Sequence, residues 1–140
     1  MGNLLDRTKL LSKQKFEIEK VELTDENFVY IREMNGRERD RWEATILKKV
    51  QKGKTITMEQ NLEDFRAKLA VATLCDEKGV LILKPDDIEV LSENMSARNL
   101  QSIVEVAQRL NKITEDEKED LVKNSGAGIT GDSTSDSAKN

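Results

Sequence analysis

Apolar and charged residues alternate near the start of the chain, and this period of two predicts a β-hairpin over residues 15–34. The first strand begins with the alternating run Phe16–Glu19. The next two apolar residues have the opposite parity, so we expect a β-bulge near Lys20 that returns them to the buried face. The second strand is Phe28–Ile31, which is rich in the β-branched and aromatic residues that strands favour. Because a lone hairpin is marginally stable in water, this one should pack against helices.

From Asn35 onward the apolar residues recur with the period of an α-helix. Asn35 can cap the first turn, and Glu38 follows three residues later, as in a capping box. Three apolar residues then stand four positions apart: Trp42, Ile46 and Val50. This spacing predicts one continuous helix that ends near Gly53, since glycine is common just after a helix end.

The rest of the folded region is predicted to be mostly helical. The elements expected there are a buried helix after Asn61, a turn at Asp76–Gly79, a third strand at Val80–Leu83, a short helix from Pro85 to Glu93, a helix capped by Ser96, and a short last helix starting at Thr114. The predicted fold class is therefore α+β, mainly α, with an N-terminal β-hairpin followed by four or five short helices.

The two ends of the chain differ from this central region. Residues 1–14 carry Leu4, Leu5, Leu10 and Leu11, and are expected to form either a short amphipathic helix or a loosely docked arm. Residues 125–140 are almost entirely small and polar, so they cannot bury enough apolar surface to offset their conformational entropy. We therefore predict one domain over residues 1–124, including a helical part at 35–124, and a disordered C-terminal tail at 125–140.

The chain lacks the residues that most enzymes and metal sites require. It contains no histidine, which removes the commonest general base, Ser-His and Cys-His catalysis, and the usual zinc sets. The single cysteine, Cys75, lies on a predicted core helix, where a thiol behaves as a small hydrophobe. Asp86 and Asp87 fall in a predicted first helical turn, where carboxylates complement the helix dipole. We expect no catalytic, cofactor-binding or metal-binding residues, and a protein that is not an enzyme.

Charge and hydropathy argue against nucleic acid and membrane as partners. The net charge is −4, and acidic residues interleave even with the densest basic group, Arg37, Arg39 and Arg41, so no basic stripe forms. A nucleic-acid-binding regulator that uses these arginines remains an alternative. No apolar run approaches the roughly 20 residues that span a membrane. Gly126–Gly131 matches the nucleotide-binding pattern G-x-G-x-x-G, but it lacks the strand before it and the helix after it that the motif requires.

Several segments, taken in order, resemble the tail assembly chaperones of long-tailed, siphovirus-type bacteriophages and prophages. They are Leu4–Asp6, Val29–Met34, Asn35–Asp40, Asp64–Val71, Leu74–Gly79, Leu83–Asp87 and Ala107–Ile113. The resemblance covers residues 1–124 and rests on the order and spacing of the segments, because no single segment is diagnostic.

This resemblance implies a non-catalytic role in the cytoplasm of the bacterial host. Chaperones of this family bind the tape measure protein and keep it soluble while tail tube subunits polymerise around it, and they are absent from the mature virion. The resemblance also implies self-association and, where translational frameshifting makes a longer form, contact with the tail tube protein. No cofactor is implied.

The partner-binding surface is expected among apolar residues in excess of what the core can absorb. These residues are Leu4, Leu5, Leu10, Leu11, Trp42, Ile46 and Val50. Because apolar helix stripes usually face the core, packing in the core is the competing interpretation of each of them. The alternative function is a structural phage protein such as a head–tail connector or a tail completion protein.

Overall fold

The computed structural model describes residues 2–113, and within them the chain forms five α-helices and five β-strands. In chain order they are α1 (Arg7–Leu10), β1 (Ile18–Glu22), β2 (Phe28–Arg32), α2 (Gly36–Thr45), β3 (Leu47–Lys52), β4 (Thr55–Gln60), α3 (Phe65–Thr73), β5 (Leu74–Cys75), α4 (Ile88–Asn94) and α5 (Ala97–Leu110). The predicted α+β class, with a hairpin first and helices after it, is confirmed.

The N-terminal hairpin is regular. Strands β1 and β2 pair antiparallel in an unbroken register from Ile18↔Arg32 to Glu22↔Phe28, so the predicted bulge near Lys20 is wrong. Because β1 begins at Ile18, Val21 already points towards the core and no extra residue is needed to turn it inward. Strand β5 pairs with the other side of β2, which gives a three-stranded sheet in the order β1-β2-β5.

The hydrophobic core lies between this sheet and the helices α3 and α5, which pack on each other. Ile31 of β2, Leu69 of α3 and Ile103 of α5 have no exposed surface. Burying an aliphatic side chain of this size stabilises the fold by about 1.5–3 kcal/mol relative to leaving it exposed. The apolar stripe predicted for the helix after Ser96 is therefore confirmed as the core-facing side of α5, and the Ser96 hydroxyl accepts a hydrogen bond from the Asn99 backbone N–H.

A second hairpin replaces the C-terminal half of the first predicted long helix. Helix α2 ends at Thr45, and strands β3 and β4 pair from Leu47↔Gln60 to Lys52↔Thr55, with Gly53 in the turn at a φ of 65°. The Asn61 backbone N–H closes the base of this hairpin on the Ile46 carbonyl at 2.8 Å. The four-residue spacing of apolar residues was misleading because the β-branched residues of β4 favour a strand and give β3 a pairing partner.

The capping box predicted at the start of α2 is confirmed. The Asn35 side chain accepts a hydrogen bond from the Glu38 backbone N–H at 2.8 Å, and the Glu38 carboxylate accepts one from the Asn35 backbone N–H at 2.9 Å. These bonds satisfy two backbone donors that a helix start otherwise leaves unpaired.

The segment between α3 and α4 differs in part from its prediction. The strand expected at Val80–Leu83 is reduced to one bridge, between Leu81 and Cys75, because its pairing partner β5 is only two residues long. The short helix expected from Pro85 is confirmed as a 3₁₀ turn, Pro85–Asp87, that continues into α4. The helix predicted from Thr114 and the tail predicted at 125–140 lie outside the described residues.

Candidate functional site

Four of the seven predicted contact residues lie on an exposed N-terminal arm. The fractional exposures of Leu4, Leu5, Leu10 and Leu11 are 100%, 41%, 59% and 70%. Helix α1 begins next to them because the Asp6 carboxylate accepts a hydrogen bond from the Lys9 backbone N–H at 2.9 Å. The arm thus forms one short helical turn whose leucines are not buried in the domain. We call residues 2–14 the leucine arm.

The other three predicted contact residues have different surroundings. Trp42 and Ile46 are buried in the core, and the Trp42 ring meets the Phe65 ring edge-on at a centroid distance of 6.0 Å. Val50 is half-buried on β3 of the second hairpin. The structure therefore separates the predicted set into an exposed group on the leucine arm and a group that packs within the domain.

An apolar groove lies between α2, α3 and the segment 81–88. It has a volume of about 220 Å³. Its apolar walls are Trp42, Val71, Ala72, Leu81, Leu83, Pro85 and Ile88, and its polar lining comes from Glu38, Arg41, Thr45 and Lys68. We call this feature the groove. Its volume is below the roughly 300–1,000 Å³ of a typical cofactor or small-molecule site, so it suits one or two side chains of a protein partner.

The rim of the groove carries an excess of positive charge. The Glu38 carboxylate is neutralised by the Arg32 guanidinium, with an Nη2–Oε2 distance of 2.7 Å. The Lys68 ammonium donates a hydrogen bond to the Thr45 carbonyl at 2.9 Å, which holds it in place without neutralising it. Arg41 is exposed and forms no ion pair with any residue in the range 2–113. An apolar side chain flanked by a carboxylate would be complementary to this rim.

Cys75, the one thiol of the chain, is buried as predicted, at 3% exposure, but it lies in strand β5 and not on a helix, since α3 ends at Thr73. Burial raises the pKa of this thiol, and the Arg32 charge offsets the increase only in part. The thiolate form that nucleophilic chemistry requires is therefore disfavoured. In the part of the chain that the structure covers, no group of three or more Cys, Asp or Glu side chains is arranged to hold a metal ion.

The groove could not be identified from the sequence, because its walls come from three separate segments. One local signal was present. The four apolar residues Val80–Leu83 exceed what a single bridge to β5 can bury, and Val80 and Ile82 are 60% and 56% exposed. Val90 of α4, which is 58% exposed, is another apolar residue outside the core.

None of the five helices α1–α5 is long and apolar enough to cross a membrane.

Comparison with known proteins finds a solved structure of similar fold. No protein-family model matches the chain, and no curated protein matches it. The structure of the bacteriophage HK97 tail assembly chaperone is similar, with a TM-score of 0.52 and 16% sequence identity over 78% of this chain and 95% of the other. The two proteins share a fold. The resemblance noted in the sequence to siphovirus tail assembly chaperones is thus supported by an independent likeness of structure.

Proposed function

We propose that this protein is a phage tail assembly chaperone that binds the tape measure protein in the cytoplasm of the bacterial host. In this role it keeps the tape measure protein soluble, supports polymerisation of the tail tube around it, and is absent from the mature virion. The observation that carries the proposal is the fold shared with the HK97 tail assembly chaperone over most of both chains. The role is one of binding and requires no enzymatic step.

The leucine arm is the proposed contact with the tape measure protein. Its four leucines are 41–100% exposed, whereas soluble monomers seldom expose contiguous apolar patches unless these bind something. A long helical client presents apolar side chains at helical spacing, and burying each leucine against them would contribute about 1.5–3 kcal/mol before the cost of ordering the arm. Of the other three predicted contact residues, half-buried Val50 stays a candidate, whereas Trp42 and Ile46 are inaccessible because they are buried in the core.

Co-expression tests this function. The wild-type chain is produced together with the tape measure protein of the same phage, and the soluble tape measure protein and its complex with the chain are quantified. We expect a soluble complex with the wild-type chain, and aggregated client when Leu4, Leu5, Leu10 and Leu11 are all replaced by Ser. The matched control replaces four exposed apolar residues elsewhere, Ile56, Leu62, Val80 and Ile82, by Ser. Finding the chain in purified virions, or an aggregated client beside the wild-type chain, would contradict the proposal.

Two further partners belong to the same proposal. We expect the chaperone to associate with copies of itself, and a longer frameshifted form to contact the tail tube protein. Sedimentation of the purified chain over a range of concentrations measures the first. The second is measured by pull-down of tube subunits with the longer product.

A further inference from the structure

We propose that the groove of one copy binds helix α4 of a second copy, with Val90 entering the groove and Glu93 pairing with Arg41. The proposal deepens the self-association put forward above by naming the two surfaces that meet. It does not depend on binding of the tape measure protein.

Helix α4 has the chemistry that the groove would accept. Val90 is 58% exposed, although most apolar residues of this size in the domain are buried or half-buried. Acidic residues surround it along the chain: Asp86, Asp87, Glu89 and Glu93, with no basic residue between Pro85 and Ala97. Val90 and Glu93 stand three positions apart on one helix, so their side chains lie on the same side of it. The exposed part of α4 therefore presents an apolar side chain flanked by carboxylates.

The groove offers the complementary arrangement. Its walls are apolar side chains from three elements, and its volume of about 220 Å³ suits an aliphatic side chain rather than a larger ligand. Arg41 and Lys68 stand on its rim, and the one rim carboxylate, that of Glu38, already pairs with Arg32. Of the charged side chains that line the groove, Arg41 and Lys68 therefore remain to attract an incoming carboxylate, and Arg41 has no competing ion-pair partner within the range 2–113.

The two surfaces are different parts of the same chain. Ile88 of α4 lines the groove of its own copy, whereas Val90 does not line it and is exposed. Contact between one copy's groove and the next copy's α4 is therefore heterologous, and each added copy leaves a groove at one end and an α4 at the other. Assemblies larger than a dimer should form as the concentration rises.

Charge reversal on the full chain tests this contact. The molecular mass of the wild-type chain is measured by sedimentation across a concentration series, beside Arg41→Glu, Glu93→Arg and the double variant. Each single reversal should weaken association by about three- to thirtyfold, because it replaces an attraction by a repulsion between exposed charges. The double variant should recover association, and so should an equimolar mixture of the two single variants.

Matched controls separate this contact from general effects of charge. Arg37→Glu changes an exposed arginine of α2 that does not line the groove, and Glu77→Arg changes an exposed glutamate outside α4. Val90→Ser should weaken association, whereas Val80→Ser, at a similarly exposed position, should not.

The measured association distinguishes failure of the groove–α4 contact from failure of the proposed self-association. A wild-type chain that stays monomeric overturns both the inference and the proposed self-association, while the co-expression result stands on its own. A wild-type chain that associates, but is unaffected by Val90→Ser and by both charge reversals, overturns the inference alone. If Arg41→Glu impairs only retention of the tape measure protein, the groove binds the client and not a second copy, which also overturns it.

Discussion

The Asn111 side chain joins the end of α5 to the start of α2 through the backbone of Met34. Its carbonyl oxygen accepts a hydrogen bond from the Met34 N–H at 2.8 Å, and its amide nitrogen donates to the Ala107 carbonyl at 2.9 Å. Both Asn111 and Met34 are buried. The Arg39 guanidinium reinforces the junction by donating to the Asn111 backbone carbonyl at 2.8 Å. Residues 77 positions apart are thus held together by a buried hydrogen bond.

Replacing Asn111 by Ala should lower the free energy of unfolding by about 1–3 kcal/mol, because it leaves the buried Met34 N–H without an acceptor. The matched control is Asn99→Ala in α5, the helix whose C-terminal end Asn111 caps. Asn99 also bonds across the fold, to Thr24, but at an exposed position, so its loss should cost about 0.5 kcal/mol or less. Urea unfolding measures both variants. Equal losses in the free energy of unfolding would show that burial does not increase the contribution of the Asn111 hydrogen bond to stability.

Glu38 both caps α2 and neutralises Arg32, whose side chain is 8% exposed. Replacing Glu38 by Ala should lower the free energy of unfolding by about 2–4 kcal/mol, since it leaves a buried guanidinium without its counter-ion. The control Glu43→Ala removes a more exposed pair with Arg39 and should cost about 1 kcal/mol or less. Thermal unfolding of both variants provides the comparison. A smaller loss for Glu38 than for Glu43 would contradict the importance of the Arg32 pair.

Gly79 occupies a conformation that other residues adopt at a cost. Its φ is 88°, and a Cβ atom added there would lie 3.2 Å from the Ile18 Cδ1 atom. Gly79→Ala should therefore lower the free energy of unfolding by about 1–2 kcal/mol. Gly36 is the control, because a Cβ there meets no atom within 4 Å and the residue lies in the first turn of α2. Gly36→Ala should leave stability unchanged or raise it, as chemical denaturation can show.

Asp76 makes the turn before Gly79 sensitive to acid. Hydrogen bonds from the backbone N–H groups of Val80 and then of Lys78 and Gly79 lower the pKa of its carboxyl below the usual value. A lowered pKa in the folded state means that the ionised carboxylate stabilises the fold above the unfolded pKa of about 3.9. This stabilisation is lost as the pH falls through the folded pKa.

Asp76→Asn should therefore be less stable than the wild-type chain at neutral pH, and the difference should shrink below a pH of about 4. Asparagine keeps an oxygen that can accept from Val80 and Lys78, so the comparison isolates the charge. Urea midpoints at several pH values provide the measurement. A difference that stays constant down to pH 2–3 would rule out the ionised carboxylate as its cause.

Local signals in the sequence were sufficient for elements that are fixed by neighbouring residues. The Asn35–Glu38 capping box, the Ser96 cap and the stripe of α5 depend on spacings within one or two turns, and all three are present. The second hairpin was missed because Ile46 and Val50 fit both a helix and a strand at their spacing. Only the pairing of β3 with β4 distinguishes the two, and pairing is a non-local property.

The candidate site, like the fold, could be predicted only in part from the sequence. The sequence identified the leucine arm as apolar, and its exposure is a consequence of the fold not covering it. It could not distinguish Trp42 from Leu4, since the type of residue does not reveal whether another element packs over it. The groove depends on α2, α3 and the 81–88 segment meeting in space, and no local pattern specifies that meeting.

The β3–β4 hairpin has a practical consequence. It meets the rest of the domain chiefly near its base, where β3 contacts α2 and Asn61 bonds to Ile46. At the opposite end, a Cβ placed on Gly53 would have no heavy atom within 4 Å, and Lys54 beside it is exposed. Exposed loop tips of this kind tolerate added residues. A short epitope or a fluorophore attached between Gly53 and Lys54 would therefore label the protein with its arm and groove left uncovered.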